Sequence, residues 1–180
     1  MRKITILILA ALLLTSITPA VGQDAPSGTF YGAWPYFLPP DGHLNSFSTG
    51  GPASSLGLYY RWVELEMAYY LAGSNSYDPM LAESWEFEGD DAFVVRLRQD
   101  AQWSNGDPIT ADDLVGTYAI GRILQWSDFD YVDEVVKVDD YTVRFTLSNP
   151  SLLVRHLILR TSIRSMAVYG DLAAAATEVY

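Results

Sequence analysis

Between Ser84 and Arg98 the pattern of side chains specifies a β-hairpin. Trp85 and Phe87 alternate with Glu86 and Glu88, Gly89-Asp90-Asp91 interrupts the run, and Phe93, Val95 and Leu97 then share a face opposite Val94, Arg96 and Arg98. A period of two with one apolar side belongs to half-buried strands, and a Gly-containing break between two such runs is their turn. The pattern recurs downstream. Val136 and Val138 lead to Asp139-Asp140, after which Tyr141, Val143, Phe145 and Leu147 alternate with Thr142, Arg144 and Thr146.

Helical spacing fills the intervals. Thr110-Ala111-Asp112-Asp113 has the form of a capping box with Asp in place of Glu or Gln, and Leu114, Val115, Tyr118, Ala119 and Ile123 follow at helical spacing. Asn149-Pro150 predicts another start, with Pro at the first helical position, running through Leu152, Leu153 and Leu157. Helical tendency resumes after Met166, over Leu172 to Ala176. A short helix is also expected over Leu56 to Met67, and Gly73-Ser74-Asn75-Ser76 as a loop. The expected class is α/β (α+β), a mixed sheet with hairpins and helices.

The first 22 residues read as a secretory signal. Met1-Arg2-Lys3 is a positive start, Ile4 to Leu14 is apolar apart from Thr5, and Ala20-Val21-Gly22 is a small-residue cleavage motif. A retained anchor competes with this reading, but a spanning helix needs about 20 apolar residues. The expected organisation is residues 1–22 as signal peptide and 23–180 as one domain, placed in the periplasm or on the outer face of the cell membrane. Cysteine is absent, which removes disulfides, a diacyl-lipid anchor, thiolate metal sites and cysteine nucleophiles together. A net charge of −11 and only two lysines argue against nucleic acid or anionic lipid as partner. With 49% hydrophobic residues the chain can bury a core, so disorder throughout is excluded.

Catalytic chemistry finds no signature. The acid pairs Glu64/Glu66, Asp90/Asp91, Asp112/Asp113 and Asp139/Asp140 fit turn formers, helix-start acids and solvated faces. His156 fits a packed or surface histidine better than a metal ligand. Trp62, Trp85 and Trp103 are read as core. Aromatic residues near the start, together with one loop, are the candidate ligand contacts: Trp34, Tyr36, His43 and Asn45, suited to sugar rings or peptide side chains. No metal or cofactor is expected.

Asp78 to Leu114 contains Leu-Ala-Glu-Ser-Trp at 81–85, Leu-Arg at 97–98, Trp103 before the Asn105-Gly106 turn, and Thr-Ala-Asp-Asp at 110–113. In order and spacing this closely resembles the signature region of the family 5 extracellular solute-binding proteins, the oligopeptide and dipeptide binders of ABC importers. The Val138-to-Leu147 hairpin, the Asn-Pro helix start and, more weakly, His43-Leu44-Asn45-Ser46-Phe47 are similar to the family too, so the likeness runs from about Thr29 to Ser162. The resemblance implies a two-lobed, non-enzymatic, monomeric binder of peptide, or of oligosaccharide, working with ABC importer permease subunits. Members are several times longer, so the chain is expected to be the amino-terminal portion, with one sheet edge left unpaired. The signature region is structural and transfers no ligand contacts. Two other readings stay open at this point: a secreted carbohydrate-acting enzyme, and a stand-alone secreted interaction module.

Overall fold

The computed structural model of the chain describes Phe47 and residues 64–179. Strands β1 (Ala68–Leu71) and β2 (Ser76–Pro79) form a two-stranded ribbon. Strands β3 (Ala82–Glu88), β4 (Ala92–Leu97), β5 (Val132–Asp139) and β6 (Thr142–Leu147) form a four-stranded sheet in the order β3-β4-β6-β5. Helices α1 (Ala111–Ile123), α2 (Leu152–Leu159) and α3 (Met166–Val179) complete the fold, with a 3-10 turn at Ser127–Asp130 between α1 and β5.

Both expected hairpins form. Phe87 pairs with Phe93 and Glu88 with Ala92 around Gly89, which takes φ +64°, a conformation most side chains resist. The second closes with Asp139 opposite Thr142. Registers align Phe87, Phe93 and Phe145 in one row across three strands. Phe93, Val95, Val143 and Phe145 are fully buried, while Trp85 and Phe87, on an outer strand, are half-buried against them. Burying side chains of this size contributes roughly 1.5–3 kcal/mol each. The opposite face carries ion pairs: Arg96–Glu86 at 2.7 Å and Arg144–Glu88 at 3.3 Å.

Helix α1 covers the apolar face, burying Leu114 and placing the Tyr118 ring 5.1 Å from that of Phe145. It connects β4 to the far outer strand β5, and the chain then turns back to lay β6 in the central slot. That route makes every strand pairing among the described residues antiparallel, so the sheet is not mixed in direction there. The expected combination of hairpins and helices is otherwise what is observed.

Asp113 stabilises the start of α1. Its Oδ2 accepts from the Thr110 amide at 2.9 Å and the Trp103 indole at 3.2 Å, and its Oδ1 accepts from the Met166 amide at 2.8 Å. The shorter Asp, in the place of the usual Glu or Gln, thus fastens the α1 cap, the preceding turn and the start of α3 at one carboxylate.

Two expectations need correction. Residues 64–67, the described end of the expected helix over Leu56 to Met67, are not helical: Glu66 bridges to Ser162 in extended backbone, and Met67 accepts from the Met80 and Ala82 amides. The remainder of that segment lies outside the described residues. Pro150 stands before α2, not at its first position, because Ser151 caps the helix by accepting from the Leu153 amide at 3.2 Å. The expected loop at 73–76 does form, as the tip of the β1–β2 ribbon, with Asn75 at φ +50° and Ser76 already opening β2. The signal segment 1–22 lies outside the described residues.

Candidate functional site

Trp34, Tyr36, His43 and Asn45 lie outside the described residues. Phe47, two positions after Asn45 in the sequence, is described, and it packs into an aromatic corner beside α1 and α3. Its ring stacks on Trp126 at 6.1 Å and 23°, and meets Tyr169 edge-on at 5.0 Å and 88°. The Arg164 guanidinium lies 5.9 Å from the Phe47 ring centre.

Local structure explains how Trp126 arrives there. After α1, Gln125 takes φ +56°, and the Trp126 amide donates back to the Gly121 carbonyl at 3.0 Å. The chain therefore doubles back over the helix end, and the indole lies directly against Gly121, where a Cβ would overlap the ring. Nearer the helix start, Gly116 receives the Met166 side chain in the same way.

Arg164 anchors the other side. It pairs with Glu64, and its Nη1 donates to the carbonyls of Ser162 and Ile163, each at 3.1 Å. Burial lowers the guanidinium pKa to about 10, so it stays a cation at neutral pH. Its backbone amide donates to the Thr117 hydroxyl at 2.9 Å, and that hydroxyl donates to the Asp113 carbonyl at 2.7 Å. Half-buried aromatic faces around a fixed cation can hold a flat or apolar group and orient one polar end of it.

A second cluster joins the β1–β2 ribbon to α2. The Tyr77 hydroxyl hydrogen-bonds His156 Nδ1 at 2.8 Å, and the Tyr70 ring meets the imidazole edge-on at 4.9 Å. Arg155 lies over the Tyr77 ring at 5.2 Å, and Arg160 reaches both His156 Nε2, at 3.5 Å, and Glu66, at 3.7 Å. His156 is the packed histidine its sequence context suggests. The acid pairs are likewise structural: Asp112 and Asp140 hold Lys137 at 2.8 and 2.9 Å, Asp139 accepts from the Tyr141 amide at 2.8 Å, and Glu64 and Glu66 pair with Arg164 and Arg160. Trp85 and Trp103 pack against the core, whereas Trp62 lies outside the described residues.

Buried polar groups lie beside the first cluster, where the Tyr118 ring is 6.0 Å from that of Trp126. The Tyr118 hydroxyl donates to Asp128 at 2.9 Å and lies 3.0 Å from the Thr161 hydroxyl. Burial raises the Tyr118 and Asp128 pKa values above their ordinary ranges. Among the described residues no group of histidines and carboxylates has metal-binding geometry, and no helix is long and apolar enough to cross a membrane.

Neither cluster stood out in the sequence, because Trp126, Tyr169, Tyr70 and Arg155 come from segments far apart in the chain. The Gly-Ser-Asn-Ser tract between Tyr70 and Tyr77 is a hairpin signal that could have located the second cluster.

A sequence profile of bacterial extracellular solute-binding proteins, family 5, matches residues 76–176. Among curated relatives, the periplasmic oligopeptide-binding protein of Escherichia coli is 30% identical over 94 residues, covering 40% of this chain and 17% of the relative. The dipeptide-binding protein of the same organism is 29% identical over 137 residues, covering 62% and 25%. A mannohexaose-bound periplasmic oligopeptide-binding protein of Thermotoga maritima superposes with a TM-score of 0.56 at 26% identity, over 61% of this chain and 21% of that one. The chain therefore matches a quarter or less of the length of these relatives.

Proposed function

Because the chain belongs to the bacterial extracellular solute-binding proteins of family 5, we propose that it contributes one part of the substrate-capture component of an ABC importer for peptides. Members of this family bind solutes and do not transform them. The observation that carries the reading is the profile match over 76–176, which spans β2, the four-stranded sheet, α1, α2 and most of α3. On this reading residues 1–22 direct export and are removed, the domain from residue 23 works in the periplasm or on the outer face of the cell membrane as a monomer, and its partners are permease subunits and solute, not nucleic acid.

The solute contacts assigned to this chain are Trp34, Tyr36, His43 and Asn45. Aromatic faces stack on side chains or rings while the imidazole and amide supply directional hydrogen bonds. A second reading, oligosaccharide in place of peptide, is favoured by the mannohexaose held by the Thermotoga maritima relative. Calorimetric titration with di- to pentapeptides and with manno-oligosaccharides distinguishes the two. Saturable heat with peptides, reduced at least about tenfold in affinity by Trp34→Ala or His43→Ala, is expected, since a stacked aromatic or a directional hydrogen bond contributes about 1–3 kcal/mol. Response to saccharides alone supports the second reading, and affinity unchanged in both variants refutes the assigned contacts.

A further inference from the structure

The chain has 22 acidic residues against 11 basic ones, so a cation without an acid partner is unexpected. Most described cations follow that expectation. Arg96, Arg98, Lys137, Arg144, Arg160 and Arg164 each pair with a carboxylate, and Arg122 donates to the Asp133 carbonyl. Arg155 differs from all of these. Its guanidinium lies 5.2 Å over the Tyr77 ring, and among the described residues it has no carboxylate and no hydrogen-bond acceptor. Its Nε is sealed from solvent without a partner, whereas the two terminal nitrogens are not sealed.

This arrangement is built to receive an anion. The ring contact and the sealed Nε already restrict the Arg155 side chain, which lowers the freedom it would lose on binding. The edge that stays open carries two N–H groups in the fork that matches both oxygens of a carboxylate. Tyr70 and His156 pack around the Tyr77 ring on which the guanidinium sits, Tyr70 at 5.1 Å and His156 through the 2.8 Å bond to the Tyr77 hydroxyl, and they meet each other at 4.9 Å. Arg160, the other cation nearby, is committed to Glu66. One uncommitted positive charge complements a monoanion better than a phosphate dianion.

We propose that Arg155, seated on Tyr77 with His156 and Tyr70 packed around that ring, forms a carboxylate-binding site for a small organic acid carrying an apolar or aromatic group. The site lies on the flank of α2, among residues distinct from the solute contacts proposed above, and it stands whether or not those contacts are correct.

The test uses three probes: N-acetylphenylalanine, its primary amide, and inorganic phosphate. Each is titrated into the protein while the Arg155 Nε–H resonance and the Tyr77 and Tyr70 ring resonances are followed by NMR. The acid is expected to shift all three saturably and the amide to shift none. Arg155→Gln is expected to weaken the acid by about tenfold or more, and Arg155→Lys, which keeps the charge without the fork, by less. Equal response to acid and amide overturns the proposal, as does phosphate binding as tightly as the acid. Unchanged affinity in Arg155→Gln also overturns it. If that variant fails to fold, the contrast between acid and amide on the unaltered protein decides the matter.

Discussion

Replacing Asp113 with alanine removes one carboxylate from three donors in three different segments. The side chain is 5% exposed, so water does not take over its bonds to the Thr110 amide, the Trp103 indole and the Met166 amide. A hydrogen bond to a charged group is worth about 1.5–3 kcal/mol net, and loss of a helix cap alone costs about 0.5–2 kcal/mol. The three bonds share one acceptor and do not add in full, which puts the loss at about 3–5 kcal/mol. For a chain of this size that corresponds to a fall in Tm of roughly 10–15 °C. Asparagine separates charge from geometry. With its oxygen at the Oδ2 position it still accepts from Thr110 and Trp103, but it turns an amino group toward the Met166 amide, donor against donor. Its cost is expected at about 1–3 kcal/mol, concentrated at the start of α3. Urea unfolding gives the totals, and hydrogen exchange of the Met166 amide gives the location. An alanine variant within about 1 kcal/mol of the parent, or unchanged Met166 protection in the asparagine variant, would refute the reasoning.

Alanine at the two α1 glycines should separate by neighbour. Gly116→Ala meets the flexible end of Met166 and is expected to be nearly neutral, whereas Gly121→Ala meets the Trp126 ring and should cost about 1–3 kcal/mol, with a shift in tryptophan emission; equal costs would contradict the packing described. At Asp128 burial is the largest cause and raises the carboxyl pKa, partly opposed by the Tyr118 hydroxyl. A folded pKa above the unfolded one means that the folded state binds the proton more tightly, so its contribution is present below the ordinary carboxyl range and is lost as pH rises through the folded value. Asp128→Asn, which keeps an oxygen for Tyr118, is therefore expected to match or exceed the parent at pH 7 and to lose any advantage near pH 3–4. A large loss at pH 7 in thermal unfolding would show that the ionised carboxylate is needed.

Period-two alternation carried the sheet: the faces of β3, β4 and β6 follow directly from which positions are apolar. Capping chemistry similarly marked the start of α1, although not that Asp113 would also hold α3, since a bond to Met166 leaves no trace in local sequence. The same limit explains why residues 64–67, the described end of the helix expected over Leu56 to Met67, are not helical. Helical spacing of Tyr59, Trp62, Val63 and Met67 is a local signal, and the bridge from Glu66 to Ser162 is a distant one that prevails at residues 64–67. Candidate contacts read from aromatic-rich loops lay where composition is unusual. The cluster around Trp126 forms only once α1 and α3 are assembled and that around His156 only once α2 and the ribbon are, and no window of sequence contains either.

The central position of β6 also sets the order in which this fold can be made. Each hairpin closes locally, between residues a few positions apart, but the seam that unites them pairs Ala92 with Thr146 and Arg96 with Thr142. Until the chain has been synthesised through Leu147, the apolar side of the first hairpin has no sheet neighbour on its β4 edge, and α1 has only part of the surface it covers. Docking of β4 on β6 closes the longest loop in the sheet, which makes it the entropically expensive step. Folding should therefore be limited by that seam, and a nascent chain halted before β5 presents a β4 edge open to mispairing.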